Sequence, residues 1–301
     1  MEEPTDVRRY GRSVGRRRVG ALLGLVLGFG VLAAIIWAVV VRGGDEAAPA
    51  QPAVAETVAQ KPTLKILFPE GFTVAQMAKR ITAVNRIAKE EKGITPVLGA
   101  KAYRRIANTA AELPKGFRKV KAPHLEGFLF PATYEFTEDT TSKQLVDLQL
   151  AAFQRAWSQL DLKYAKSKNL TPYDVLIIAS MVEKEVQVAK ERPLVAAVIY
   201  NRLKVDLPLG IDATIRYGLG IPPTKAIRQS QLESRNPYNT RVHQGLPPTP
   251  IANPGLASLQ AAAHPANVDH LYFIRKADCR SHFFTASEQE FLDFSREGLL
   301  C

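Results

Sequence analysis

Between Val19 and Val41 the sequence VGALLGLVLGFGVLAAIIWAVVV carries no charged side chain. Coiled as a helix rising about 1.5 Å per residue, it covers roughly 35 Å, enough to cross the hydrocarbon core of a bilayer. A chain with such a run is expected to be divided by a membrane, so its folded part must lie on one side. Arg8, Arg9, Arg12, Arg16, Arg17 and Arg18 precede the run, whereas Arg42, Asp45 and Glu46 follow it. The positive-inside rule then places residues 1–18 in the cytoplasm, a transmembrane helix at 19–41, and the rest outside. A cleavable signal peptide, cut near Ala47 to Ala50 or Ala53 to Ala55, is the rival reading, but signal apolar cores run to only about 7–15 residues. Topology also accounts for the arginine cluster, so no nucleic acid partner is expected.

Charge outside the membrane has its own meaning. Removing residues 1–18, with 6 basic and 3 acidic side chains, from 40 Lys+Arg and 29 Asp+Glu leaves 34 and 26, a net charge of +8. An exported basic domain suits anionic cell-wall polymers or lipid head groups. With only 2 cysteines, Cys279 and Cys301, the chain is not a disulfide scaffold or a Cys-rich zinc module. Both lie in the exported part, where a bridge is permitted, and their spacing does not say whether they pair.

Residues 42–62, rich in Ala and Pro without apolar periodicity, read as an extended linker. A short apolar run from Leu64 to Phe68 then leads to a helix opened by Thr73, with Gln76 completing a capping box. Val74, Met77, Ala78, Ile81 and Val84 fall on one face of it. A short helix is expected around 100–112, and EGFLFPATY at 126–134 reads as a packed aromatic corner between subdomains. From Ser142 to about Leu160, Leu145, Leu148, Phe153 and Trp157 repeat with helical spacing. Thr171 and Asp174 form a second capping box, with Pro172 at the first helical position.

That last helix ends in Glu183, Lys184 and Glu185 after a nearly unbroken apolar stretch. At about 100° per residue Ile178, Met181, Val182 and Glu185 share a stripe, while Glu183 falls roughly 200° from Glu185. One carboxylate should face inward and the other should not. A carboxyl drawn against apolar surface holds its proton to higher pH and can act as a general acid. From spacing alone the competing reading, in which both glutamates are solvated where the buried part of the helix stops, is the better one. Downstream, Asn, Thr, Tyr, Asp and Arg recur on loops fixed by proline and glycine, as sugar recognition requires. There is no Gly-x-Ser-x-Gly elbow and no His-Glu-x-x-His pair, so neither metal nor cofactor is expected. His264 and His282 read as loop hydrogen-bonders at the edge of a cleft.

The motifs IASMVEKE at 178–185, YNRL at 200–203, LGIDATIRY at 209–217, YNT at 238–240, GLPP at 245–248, ANPG at 252–255, AAHP at 262–265, LYF at 271–273 and HFFT at 282–285 are informative in combination. In order and spacing through most of 124–290 they resemble the endolytic murein transglycosylase family, MltG or YceG-like. EGFLFPATY fits the same pattern, with Ala132 where an Asp is usual. The resemblance implies an α+β protein: a single-pass anchor, a shortened LysM-like subdomain and connector at 63–123, and a YceG-like mixed α/β catalytic domain at 124–301. It puts the catalytic carboxyl on Glu185, with Asp212, Tyr217, Tyr238, Asn239 and Thr240 positioning the sugar and its N-acetyl group.

The activity implied is lytic: cleavage of the MurNAc-GlcNAc bond of nascent peptidoglycan glycan strands without water, leaving 1,6-anhydroMurNAc ends and terminating elongation. The implied partners are those strands, the membrane and the penicillin-binding synthases that make them. Two alternatives stand beside it. One is a non-catalytic wall-binding or synthase-scaffolding protein of the same fold. The other is a hydrolase, for which no partner carboxylate is evident in the sequence.

Overall fold

The computed structural model describes residues 61–109, 113–118 and 120–297. The apolar run at 19–41 lies outside the described residues, as do the cytoplasmic segment, nearly all of the linker, and Cys301. Among the described residues no helix is long and apolar enough to cross a membrane.

The first lobe is built on a two-stranded antiparallel sheet. Strand β1 (Leu64–Leu67) alternates buried and exposed residues and pairs with β2 (Thr133–Phe136), Leu64 opposite Phe136 and Ile66 opposite Tyr134. Between them come helix α1 (Val74–Lys92) and helix α2 (Ala100–Ala107). Thr73 caps α1 as expected: its hydroxyl accepts from the Gln76 N–H while the Gln76 side chain accepts from the Thr73 N–H. Val74, Met77, Ala78 and Ile81 are buried, as the stripe requires, and Val84 packs partly buried against the same core. Helix α2 stops at Ala107, short of the expected 112, with Asn108 as its cap. This lobe's core takes in Leu125, Leu129, Tyr134 and Phe136, so the unit containing 63–123 closes on residues well beyond it.

Helix α3 (Ser142–Trp157) joins the two lobes: Leu145 and Val146 belong to the first core, Phe153 and Trp157 to the second. The aromatic corner does the same within two residues, Phe128 facing the second core and Leu129 the first. Phe117, Phe128 and Trp157 pack edge to face there, with centroids 4.9–5.0 Å apart.

After a short α4 (Lys163–Ser167) comes the central helix α5 (Pro172–Glu185), capped by Thr171 and Asp174 as its sequence specifies. Val175 to Val182 are buried without interruption, so this helix is surrounded rather than amphipathic. Around it pack α6 (Arg192–Lys204), α7 (Asp212–Leu219) and α9 (Leu256–Ala263), while a single turn, α8 (Gln229–Leu232), has no buried residue. A hairpin of β3 (Tyr272–Arg275) and β4 (His282–Thr285) sets Arg275 opposite His282, and α10 (Glu288–Arg296) follows. Helices dominate and the two small sheets are separate, which is the α+β class.

Candidate active site

A cleft of about 1160 Å³ runs between the lobes. The N-terminal turns of α1 and part of α2 line one wall; the end of α5, the whole front of α7 and strand β3 line the other.

Glu185, the last residue of α5, lies on this cleft. Burial pushes its carboxyl above the ordinary range, against the pull of Arg275, the Ala213 N–H and Lys184; the Asp212 charge adds to the rise. Such a group is shifted toward its protonated form, yet has cations and a helix N-terminus at hand to stabilise the anion once the proton has left. Arg275 is held in place by donating Nη2 to the Glu185 carbonyl at 3.3 Å. Glu183, on the other side of the helix, accepts from the Gly255 N–H at 3.0 Å at the start of α9, and is not a cleft residue. Its neighbour Glu70 is pushed up by burial and by the Glu183 charge. The helical phase therefore sends the two glutamates to different surroundings, although both are half-buried and Glu183 is bonded to the protein rather than solvated.

The other five expected residues divide. Asp212 and Tyr217 line the cleft. Asp212 Oδ1 receives Nε and Nη2 of Arg241 at 2.8 and 2.6 Å. Tyr238, Asn239 and Thr240 stand behind the cleft wall, their polar atoms committed to the protein. The Tyr238 hydroxyl meets Thr249 Oγ1 at 2.8 Å, and its ring packs edge-on to Tyr217. Asn239 is fully buried and donates to the carbonyls of Leu232 and Ser234 at 2.8 and 2.7 Å. Thr240 Oγ1 accepts from the Ile211 N–H and meets Thr214 Oγ1, both at 3.0 Å. Of the three, Thr240 fixes the loop that starts α7, its carbonyl also taking the Gly210 N–H at 2.9 Å, and Asn239 beside it ties this segment back to the turn at 232–234.

Sequence reasoning missed two residues. Glu126, read as part of an aromatic corner, is 3% exposed and lines the cleft. Its Oε1 accepts from the Val74 N–H at 3.0 Å and from Asn253 Nδ2 at 2.6 Å, and its Oε2 from Val74 at 3.1 Å and the Tyr217 hydroxyl at 3.4 Å. Burial pushes its carboxyl up to about 8, although Val74, Tyr217, Asn253 and Lys184 all favour the anion. Asn253 is fully buried; its Oδ1 takes the N–H groups of Gly127 and Leu129, each at 2.9 Å, and its Nδ2 also donates to the Phe72 carbonyl at 2.9 Å. Gly127 has φ +92°, and a Cβ there would lie 2.6 Å from Pro250 Cβ, so the approach of these two loops needs glycine. A carboxylate inside an apolar run and an asparagine between Ala and Pro-Gly were the available signals.

Seven cations line the cleft, Lys79, Arg104, Lys184, Arg202, Arg216, Arg241 and Arg275, against the carboxyls of Glu126, Glu185 and Asp212. The cations outnumber the carboxyls, so the cleft is positive, and burial shifts two of the carboxyls, Glu126 and Glu185, toward the neutral form. His282 also borders it, its ring buried with Nδ1 2.8 Å from Glu191 Oε2.

A family model described as YceG-like matches residues 46–297. The chain belongs to the YceG-like family. Among proteins similar to this YceG-like chain is one from Streptococcus pneumoniae (strain ATCC BAA-255 / R6), named endolytic murein transglycosylase. It is 35% identical over 230 residues, 71% of this chain and 41% of that protein. A protein of the same name from Bacillus subtilis (strain 168) is 36% identical over 161 residues, 54% of this chain and 44% of that one. The chain thus spans less than half the length of these curated relatives. A crystal structure of a YceG-like protein from Listeria monocytogenes superposes with a TM-score of 0.60 at 30% identity, over 76% of this chain and 75% of that one.

Proposed function

We propose that this YceG-like protein is an endolytic lytic transglycosylase of peptidoglycan, held at the membrane by Val19 to Val41 with its cleft outside. The observation that carries the reading is Glu185: a carboxyl biased toward its protonated form, on the floor of a positive cleft, with Arg275, Lys184 and the Ala213 N–H ready to receive the anion. Glu185 protonates the glycosidic oxygen between MurNAc and GlcNAc as the bond to C1 breaks. The Asp212 charge, beside Glu185, opposes the positive charge that develops on the sugar. The Glu185 carboxylate then removes the proton from the C6 hydroxyl as that oxygen closes on C1, so the acid is regenerated and no water enters the bond. Names of relatives support the substrate, and the penicillin-binding synthases that extend the strands are the proposed partners.

Asp212 gives hydrolysis a specific claim, because its charge bears on Glu185 as a second carboxylate, a role beyond the sugar positioning expected of it. The two reactions leave different ends. A fragment from Arg42 onward, incubated with uncrosslinked strands, should release anhydro-ended products, lighter by one water than hydrolysed ones in mass spectrometry. Reducing muramic ends would assign the cleft to a glycosidase, and a folded fragment that binds strands without cutting them would assign it to the scaffolding class.

The positive wall should be read by substrate charge. Lys79 and Arg104 line the cleft away from Glu185 and are exposed. Neutralising both (Lys79→Gln with Arg104→Gln) should raise KM on peptide-bearing strands about 3- to 10-fold at low salt and leave kcat unchanged, with the difference vanishing at high salt. Strands stripped of their carboxylate-bearing peptides should not distinguish the variant from the parent.

A further inference from the structure

We infer that Glu126 is a positioning residue whose protonation state decides whether the Tyr217 hydroxyl offers the substrate a donor or an acceptor. The inference deepens the reading above, since it concerns the same cleft.

The argument rests on how the four hydrogen bonds divide. Oε1 of Glu126 already faces two donors, Val74 N–H and Asn253 Nδ2. Oε2 faces only the shared Val74 N–H and the Tyr217 hydroxyl, so a proton on the carboxyl belongs on Oε2, directed at Tyr217. With that proton present, Tyr217 is an acceptor toward Glu126 and its own O–H is free to turn into the cleft it lines. With the proton gone, the phenol donates to the carboxylate and shows the cleft only lone pairs. Sugar hydroxyls tolerate either polarity, but an N-acetyl carbonyl or a carboxylate needs a donor. Neutral Glu126 is therefore the form that binds.

The surroundings leave Glu126 as the titrating member. Burial holds the Tyr217 phenol far above the working range, and does the same to Tyr103 on α2. His124, whose Nδ1 accepts the Glu126 N–H at 3.3 Å, is pushed down by burial. Lys184 on α5 and the N-terminus of α1 bear on Glu126 as fixed positive ends. Tyr238 packs on the far side of the Tyr217 ring.

Affinity for uncrosslinked, peptide-bearing strands, measured in the Glu185→Gln background, tests this without the Glu185 titration and without requiring any cutting. Binding should weaken about tenfold from about pH 6 to about pH 9, the worth of one hydrogen bond to an ionised or strongly polar partner. Adding Glu126→Gln should remove that fall, because the amide donates to Tyr217 at every pH. Adding Tyr217→Phe should also remove it, with binding at pH 6 already about tenfold weaker. Should Glu126→Gln misfold, Tyr217→Phe decides alone. A pH dependence that survives in either variant, or no strand binding at any pH, overturns the inference. The absence of cutting by the parent protein overturns only the proposed reaction.

Discussion

Glu185→Gln is expected to lower the rate of strand cutting by roughly a thousandfold, within the range a general acid contributes. The amide keeps the shape of the side chain and can still accept from the Ala213 N–H, so substrate binding should persist and the loss should fall on kcat. Glu183→Gln is the matched control. An amide oxygen there still accepts from Gly255, so cutting should stay within about tenfold of the parent. Equal losses from both changes, or a loss only from Glu183→Gln, would remove the acid from Glu185.

The same substitution has a stability signature of known sign. The Glu185 carboxyl is pushed up on folding, so the folded state binds its proton more tightly than the unfolded chain does. Its contribution is fully present below the unfolded value and is lost as pH rises through the folded one. Gln carries no such penalty. Glu185→Gln should therefore melt above the parent at neutral and alkaline pH, with the gap closing toward acid. A thermal series across pH reads this directly, and a variant that melts lower at alkaline pH would contradict the burial of an ionisable group there.

Asn253→Ala should be the most damaging single truncation away from the chemistry. It orphans the Gly127 and Leu129 N–H groups and removes one of two donors from both the Phe72 carbonyl and Glu126 Oε1, which keep the backbone N–H groups of residue 253 and Val74, in a fully buried position. Orphaned buried polar groups cost about 1–3 kcal/mol each and share relaxation, so the total should fall at about 3–5 kcal/mol in denaturant unfolding. Asn253→Asp keeps the acceptor for Gly127 and Leu129 but sets an anion against Glu126, and should be nearly as harmful. A loss below about 1 kcal/mol for Asn253→Ala would mean that packing and the remaining hydrogen bonds between these segments hold the lobes without the Asn253 side chain.

Local signals in the sequence translated directly into structure. The capping residues Thr73 and Thr171 start α1 and α5, the apolar stripe of α1 is buried, and helical phase sends Glu183 and Glu185 to different surroundings. What depended on distant partners did not translate. Glu126 looks like one more residue of an aromatic corner until Val74, Tyr217 and Asn253 come together around it. Tyr238, Asn239 and Thr240 have the residue types of sugar ligands, and only the carbonyls and hydroxyls they meet show them to be the frame behind Asp212. Asp212 was expected to position the sugar, but the effect of its charge on Glu185 was not legible, because the two are brought together by α7 turning back on the end of α5.

The bond from Asn253 to the Phe72 carbonyl joins residues 181 apart, and the one to Glu126 joins residues 127 apart. One wall of the cleft is thus made early in synthesis and the other late, with the fastening between them near the end of the chain. A growing polypeptide that has not yet delivered residue 253 lacks the side chain that fastens Glu126 to the Phe72 turn, so the two sides of the cleft can be joined only after most of the chain has been made.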